Sequence, residues 1–218
     1  MAKPRQAESQ RPAQRLYLMT PEVEDAGAFA RPLSDALAAS DIAAVLLRLK
    51  RADERTLVNR VKALAPIVQS RDAALLVDGE PGIAARGGAD GAHLTGLADF
   101  LAAVESLKPA RIAGCGGLAT RDDAMTAAER GADYVMFGEP RDGRRPALDA
   151  ILDRIAWWAE VFEVPCVGYA ATLAEVGPLA KAGADFVALG PDLWNDPRGA
   201  AAAITEAAQR LAAPEVVA

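Results

Sequence analysis

The chain has 218 residues, 24 Lys and Arg against 30 Asp and Glu, a net charge of −6 and 51% hydrophobic residues. That length buries roughly 70% of the unfolded surface in one domain, and the acidic balance excludes the net basic face that nucleic acid or an anionic membrane surface needs. Two cysteines, Cys115 and Cys166, exclude a disulfide scaffold and fit a reducing compartment, while no apolar run approaches the ~18 residues of a membrane span.

Met1 to Gln14 carry Lys3, Arg5, Arg11 and two prolines without an apolar stretch. They read as a short disordered tail and not a signal peptide. The expectation is a cytoplasmic protein with one folded domain over residues 15–218. Its first strand is Leu16 to Thr20, closed by Pro21, and a helix follows over about Ala26 to Ala39. A second strand, Ala43 to Leu49, precedes a helix from about Glu54 to Ser70 that Asp53 is placed to cap. Strands three to eight are Ala73–Val77, Gly91–Leu94, Arg111–Cys115, Tyr134–Phe137, Pro165–Tyr169 and Phe186–Leu189. Helical stretches separate them, and a last one over about Pro197 to Leu211 closes the chain.

Short buried strands that alternate with helices pair in parallel through right-handed crossovers. Eight such units in about 200 residues predict a closed (β/α)8 TIM barrel. An open doubly wound sheet is the alternative, and it supplies no reason for the count to stop at eight. Gly88-Ala89-Asp90, Gly131-Ala132-Asp133 and Gly183-Ala184-Asp185 stand directly before strands four, six and eight. Each reads as a helix-ending glycine in the left-handed region followed by a tight turn, on the face of a barrel associated with stability.

Several strand ends carry a family resemblance. Arg15-Leu16-Tyr17-Leu18-Met19-Thr20, Leu46-Leu47-Arg48-Leu49-Lys50, Gly88-Ala89-Asp90-Gly91-Ala92-His93-Leu94 and Gly131 to Gly138 together resemble the thiamine phosphate synthase family, which includes a related thiazole tautomerase. The resemblance runs from about Arg15 to Leu211. It implies a barrel that joins a pyrimidine diphosphate to a thiazole phosphate and releases pyrophosphate with Mg²⁺ assistance, so that cations around the departing diphosphate are the central requirement.

The resemblance also places site residues, with departures. In the family's Gln-x-Arg-x-Lys after strand two, Leu46 replaces the Gln while Arg48 and Lys50 match, which implies contacts to the diphosphate. Residues 46, 48 and 50 share one strand face; a solvated Arg and Lys leading into a polar loop is the plain alternative. Asp78 matches the family's metal-binding Asp and equally suits an Asp-Gly turn. His93, the only histidine, and Leu94 match the first two positions of the strand-four motif, which implies a substrate contact for His93; a satisfied structural histidine at the barrel rim is the plain alternative. The second metal carboxylate is missing, and Asp99 lies too far along to replace it. Cys115 to Thr120 lacks the Ser-x-His segment that the tautomerase uses for proton transfer, and Thr120 with Asp123 reads instead as a helix cap. The Thr/Lys-rich loop after strand six has become Glu139 to Pro146, where Arg144 or Arg145 is placed to bind phosphate. Thr172 and Glu175 form a capping-box pattern where the family has a phosphate turn. Gly190 stands where phosphate-binding barrels present backbone amides, and a plain turn is the alternative.

Three functional expectations follow: a synthase with weak or altered activity, an enzyme acting on another phosphorylated small molecule, and a non-catalytic barrel that binds a ligand or partner. On the helix spanning Pro146 to Phe162, Trp157 and Val161 fall opposite the stripe of Leu148, Ile151, Leu152, Ile155 and Trp158. An apolar pair on an otherwise solvent-facing surface predicts a homodimer, as the resemblance also implies.

Overall fold

In a computed structural model, which describes residues 13–141 and 143–212, eight parallel strands close into a barrel in the order β1 to β8. The strands are β1 (Arg15–Val23), β2 (Ile42–Leu49), β3 (Ala74–Asp78), β4 (Gly91–Thr95), β5 (Ile112–Gly116), β6 (Tyr134–Phe137), β7 (Cys166–Ala170) and β8 (Phe186–Leu189). The helices between and after them are α1 (Ala26–Ala38), α2 (Glu54–Gln69), α3 (Pro81–Gly87), α4 (Leu97–Leu107), α5 (Arg121–Glu129), α6 (Leu148–Val161), α7 (Val176–Lys181) and α8 (Ala200–Ala212). The reading of a disordered tail falls mostly on residues 1–12, outside the described residues. Gln14 is anchored, its Nε2 donating to the carbonyls of Ala180 and Ala184.

Closure follows from strand periodicity. Successive side chains alternate between the barrel interior and the strand–helix layer. Tyr17, Met19, Ala44, Leu46, Leu76, Tyr134, Met136, Val167, Tyr169 and Ala188 fill the interior, while Leu18, Val45, Leu75 and Val135 pack outward against the helices. Asp53 and Thr120 cap α2 and α5, the latter in a full capping box with Asp123. The three Gly-Ala-Asp turns do more than reverse the chain. Each glycine has positive φ, and each aspartate accepts the amide at or near the start of a strand: Leu75 N–H to Asp90 at 2.7 Å, Ala113 N–H to Asp133 at 2.7 Å and Cys166 N–H to Asp185 at 2.8 Å. A carboxylate hydrogen-bonded this way ties neighbouring strands together at the stability face.

On α6, Ile151, Ile155 and Trp158 are buried as the helical stripe predicts. Trp157 is not a free surface residue. The Arg121 guanidinium lies 4.5 Å over its ring, and Trp158 and Phe162 pack edge-on against it. A neighbouring helix therefore covers the face that the α6 wheel alone leaves open, and Val161, 59% exposed, remains as its apolar residue. Among the described residues, no helix is long and apolar enough to cross a membrane.

Candidate active site at the C-terminal mouth

Arg48, Asp78, Gly138 and Gly190 all stand at or just beyond the C-terminal ends of their strands, the end at which barrel loops converge. Arg48 continues the inward row of Ala44 and Leu46. Its amide donates to the Thr20 hydroxyl at 3.0 Å, and its guanidinium Nε lies 3.6 Å from Asp78 Oδ2. Burial raises the Asp78 pKa, with the Glu139 charge adding to it; His93 and Arg48 oppose the shift. Lys50 lies beyond the end of β2 and turns aside to pair with Glu24 at 2.7 Å. Arg48 and Lys50 are thus not brought together on one anion.

His93 sits deeper than the rim. It is the middle residue of β4, level with Asp78 in the sheet register and fully buried. Its Nδ1 bonds the Tyr134 hydroxyl at 2.8 Å and its Nε2 bonds Glu139 Oε2 at 3.2 Å. Tyr134 in turn bonds Tyr17 at 2.9 Å, so a chain of four side chains runs from the mouth into the barrel. Burial pushes the His93 pKa down, but the carboxylate and hydrogen bond of Glu139, with Asp78, outweigh it and the net shift is upward. A protonated ring donates from both nitrogens, to Glu139 and to the Tyr134 oxygen. Burial pushes the Tyr17 and Tyr134 phenols well above their ordinary range, so both stay neutral.

Strand β5 makes this arrangement possible. Its inward positions are Ile112, at the far end, and Gly114 and Gly116 toward the mouth. A methyl group at Gly114 would overlap the Tyr134 ring, and one at Gly116 would meet His93 Nε2 at 2.6 Å and collide with the Glu139 carboxylate. Glu139 is the residue that the sequence reading passed over. Its signal was present: a carboxylate immediately after the last strand residue and Gly138 of a barrel, in a loop otherwise rich in arginine.

That loop forms one wall of a cleft of about 550 Å³, within the size range of small-molecule sites. Arg141, Arg144, Arg145 and Arg154 surround it, with Glu139 and Met136 at its floor. The arginines differ in freedom. Arg145 is committed to structure, donating to Gly138 O, to Tyr169 O and to both oxygens of Glu175. Arg154 donates to Leu118 O and Ala119 O. Among the described residues, the Arg144 guanidinium makes no hydrogen bond or ion pair. Glu175 completes its set by accepting Ala171 N–H at 2.8 Å, whereas the Thr172 side chain makes no cap bond, so the expected capping box does not form.

The position after β8 is differently built. The Gly190 amide donates to Ala170 O at 3.2 Å, and the adjacent cavity of about 190 Å³ is lined by Asp192 and Asp196. The Gly190 amide is thus already engaged, and the carboxylates beside it are unlike a cationic phosphate site. The residues also do not assemble a cage for Mg²⁺. Asp78 faces Arg48, Glu139 is held on His93, Asp99 lies exposed in α4, and among the described residues no three ligating side chains converge.

Fold and mouth together define a (β/α)8 barrel with a cationic cleft at the end where such barrels carry their chemistry. Residues 16–192 match the profile of the family described as thiamine monophosphate synthase. The chain is 42% identical over 197 residues to thiamine-phosphate synthase of Rhodospirillum centenum, covering 88% of this chain and 95% of that one. It is 35% identical to that of Hyphomonas neptunium, covering 89% and 92%. In structure it resembles a thiamine phosphate pyrophosphorylase from Pyrococcus furiosus, with a TM-score of 0.74, 22% identity and coverage of 92% and 96%. A 3-hexulose-6-phosphate synthase shares the fold at a TM-score of 0.67 and 16% identity, covering 89% and 99%. The chain belongs to the thiamine monophosphate synthase family.

Proposed function

We propose that this barrel joins a pyrimidine diphosphate to a thiazole phosphate at its C-terminal mouth, releasing pyrophosphate. The observation that carries the reading, beside family membership, is the cleft of about 550 Å³ with the unpaired Arg144 at its edge. Guanidinium groups bind phosphate oxygens in a bidentate way and stabilise the charge that develops on a departing diphosphate. Arg144 takes the role the resemblance gave to a lysine. Arg48, 31% exposed and balanced by Asp78, adds a second cation on the opposite wall of the barrel. Lys50 and Gly190 contribute less, because Glu24 and the Ala170 carbonyl already engage them. Mg²⁺ enters this reading only as a companion of the diphosphate, with Asp78 as the nearest carboxylate available to it.

The decisive experiment incubates purified protein with both substrates and Mg²⁺ and measures thiamine phosphate and released pyrophosphate. Formation of both supports the reading. Their absence from protein shown to be folded overturns it. A second reading, another phosphorylated small molecule in the same cleft, is favoured by the missing metal cage and by the apolar Leu46. Inorganic phosphate or diphosphate binding in the cleft without thiamine phosphate formation would select it. The proposal also holds that the protein is cytoplasmic, that its folded unit is the barrel alone, and that two copies pair through the Val161 face of α6. Light scattering tests the last point: a dimer mass that Val161→Glu reduces supports it, and a monomer mass refutes it.

A further inference from the structure

Glu139 holds an unusual position. Its side chain is only 8% exposed, and it lies on the floor of the arginine-lined cleft. One oxygen, Oε2, is fixed by His93 Nε2 at 3.2 Å. Among the described residues, the other oxygen has no hydrogen-bond partner. That oxygen is not among the fully buried unpaired atoms, so it opens into the cleft, where an incoming ligand reaches it. A donor arriving with a ligand would complete it.

The surroundings restrict what that donor can be. Arg144 at the cleft edge suits the phosphate end of a ligand, so the donor belongs to the other end. Met136 and Leu118 offer an apolar wall against which a flat ring packs. Gly116 provides the room that the His93 ring and the Glu139 carboxylate themselves occupy, which fixes the carboxylate at the edge of the cleft. Leu46, fully buried and apolar, cannot hydrogen-bond a ring from the β2 side, where the resembled motif has a glutamine. The product named for the relatives, thiamine phosphate, contains an aminopyrimidine, a flat ring with an exocyclic N–H donor.

We propose that Glu139 is the specificity-determining residue for the pyrimidine half of the substrate, its free carboxylate oxygen accepting a hydrogen bond from the exocyclic amino group while Arg144 holds the diphosphate. His93 is a positioning residue in this scheme, since it orients the carboxylate and touches no substrate atom. The inference rests on the synthase reading and assigns to Glu139 a task that the β2 glutamine position no longer performs.

The test measures binding of three probes by calorimetry: the aminopyrimidine diphosphate, its analogue with hydrogen in place of the amino group, and inorganic diphosphate. The intact protein is expected to prefer the amino compound about tenfold or more over the deamino analogue, the scale of one hydrogen bond to a charged acceptor. Glu139→Met, which has no oxygen to accept, should abolish that preference without lowering inorganic diphosphate affinity, and His93→Gln should reduce the preference in part. Equal affinity of the intact protein for the amino and deamino compounds overturns the inference without recourse to any variant. So does a preference that survives in Glu139→Met. If the intact protein makes thiamine phosphate in either of those cases, the synthase reading stands and only the role of Glu139 falls. If it binds neither pyrimidine compound, both fall together.

Discussion

Replacing Gly114 by alanine tests whether β5 really is hollowed to seat the Tyr134 ring. The backbone there is not among the positive-φ positions, so alanine is conformationally allowed and the effect is steric. The added methyl would lie closer than 3.0 Å to two ring carbons and the hydroxyl oxygen of Tyr134. The ring cannot retreat, because Tyr134 is 6% exposed, stacked on His93 with centroids 5.7 Å apart and set edge-on against Tyr17 at 5.9 Å. Overpacking of this kind costs about 1–3 kcal/mol. Losing the Tyr134 bonds to Tyr17 and His93 adds about 1 kcal/mol each. Loss of glycine freedom in the unfolded chain offsets about 0.4–1 kcal/mol, leaving a net destabilisation of about 2–4 kcal/mol. Gly116→Ala should cost less, about 1 kcal/mol, because one of the groups it displaces is the end of a flexible glutamate beside an open cleft. Urea unfolding of both variants against the parent protein reads the order directly. In a Tyr134→Ala background the Gly114→Ala penalty should shrink by about 1 kcal/mol or more. A Gly114→Ala protein as stable as the parent, or a Gly116→Ala protein that is the less stable of the two, would refute the packing argument.

Other consequences are open to direct measurement. His93 is the only histidine, so its ring resonances titrate without overlap; the midpoint should lie above 6.5 and fall in Glu139→Gln, where burial acts with less opposition. Because the folded-state value is raised, its stabilising contribution is complete below the unfolded pKa of about 6.5 and is lost as pH rises through the folded midpoint; a midpoint at or below 6.5 would contradict this. Arg144→Ala should raise the KM for the pyrimidine diphosphate about tenfold or more with little change in the unfolding midpoint. Arg145→Ala should instead lower stability by about 1.5–3 kcal/mol, since it abandons the partly buried Glu175, and an exchange of those two phenotypes would show that the guanidinium roles were assigned the wrong way round. Titration of the ligand-free protein with Mg²⁺ alone should reveal no tight site, and a tight site abolished by Asp78→Ala would show that a further ligand had been overlooked.

The architecture was legible in the sequence because its signals are local. Apolar runs of four to eight residues, the caps at Asp53 and Thr120, and the Gly-Ala-Asp turns each depend on residues within a few positions. Period-two alternation likewise puts Leu46 and Arg48 on one inward face. Local rules failed where a partner comes from another element. Lys50 faces Glu24 across the strand ends, Trp157 lies under Arg121 from α5, and Arg145 is claimed by Glu175 from 30 residues away. The contacts that make the mouth are longer still: Glu139 meets His93 across 46 residues, and Tyr17 meets Tyr134 across 117. Barrel closure brings these groups to one place, and two glycines in β5 leave the volume they need. Which residues face inward is written in each strand, because side-chain alternation is a local property. Which inward and loop residues meet depends on the folded barrel, because register and closure set the distances between strands that are far apart in the chain.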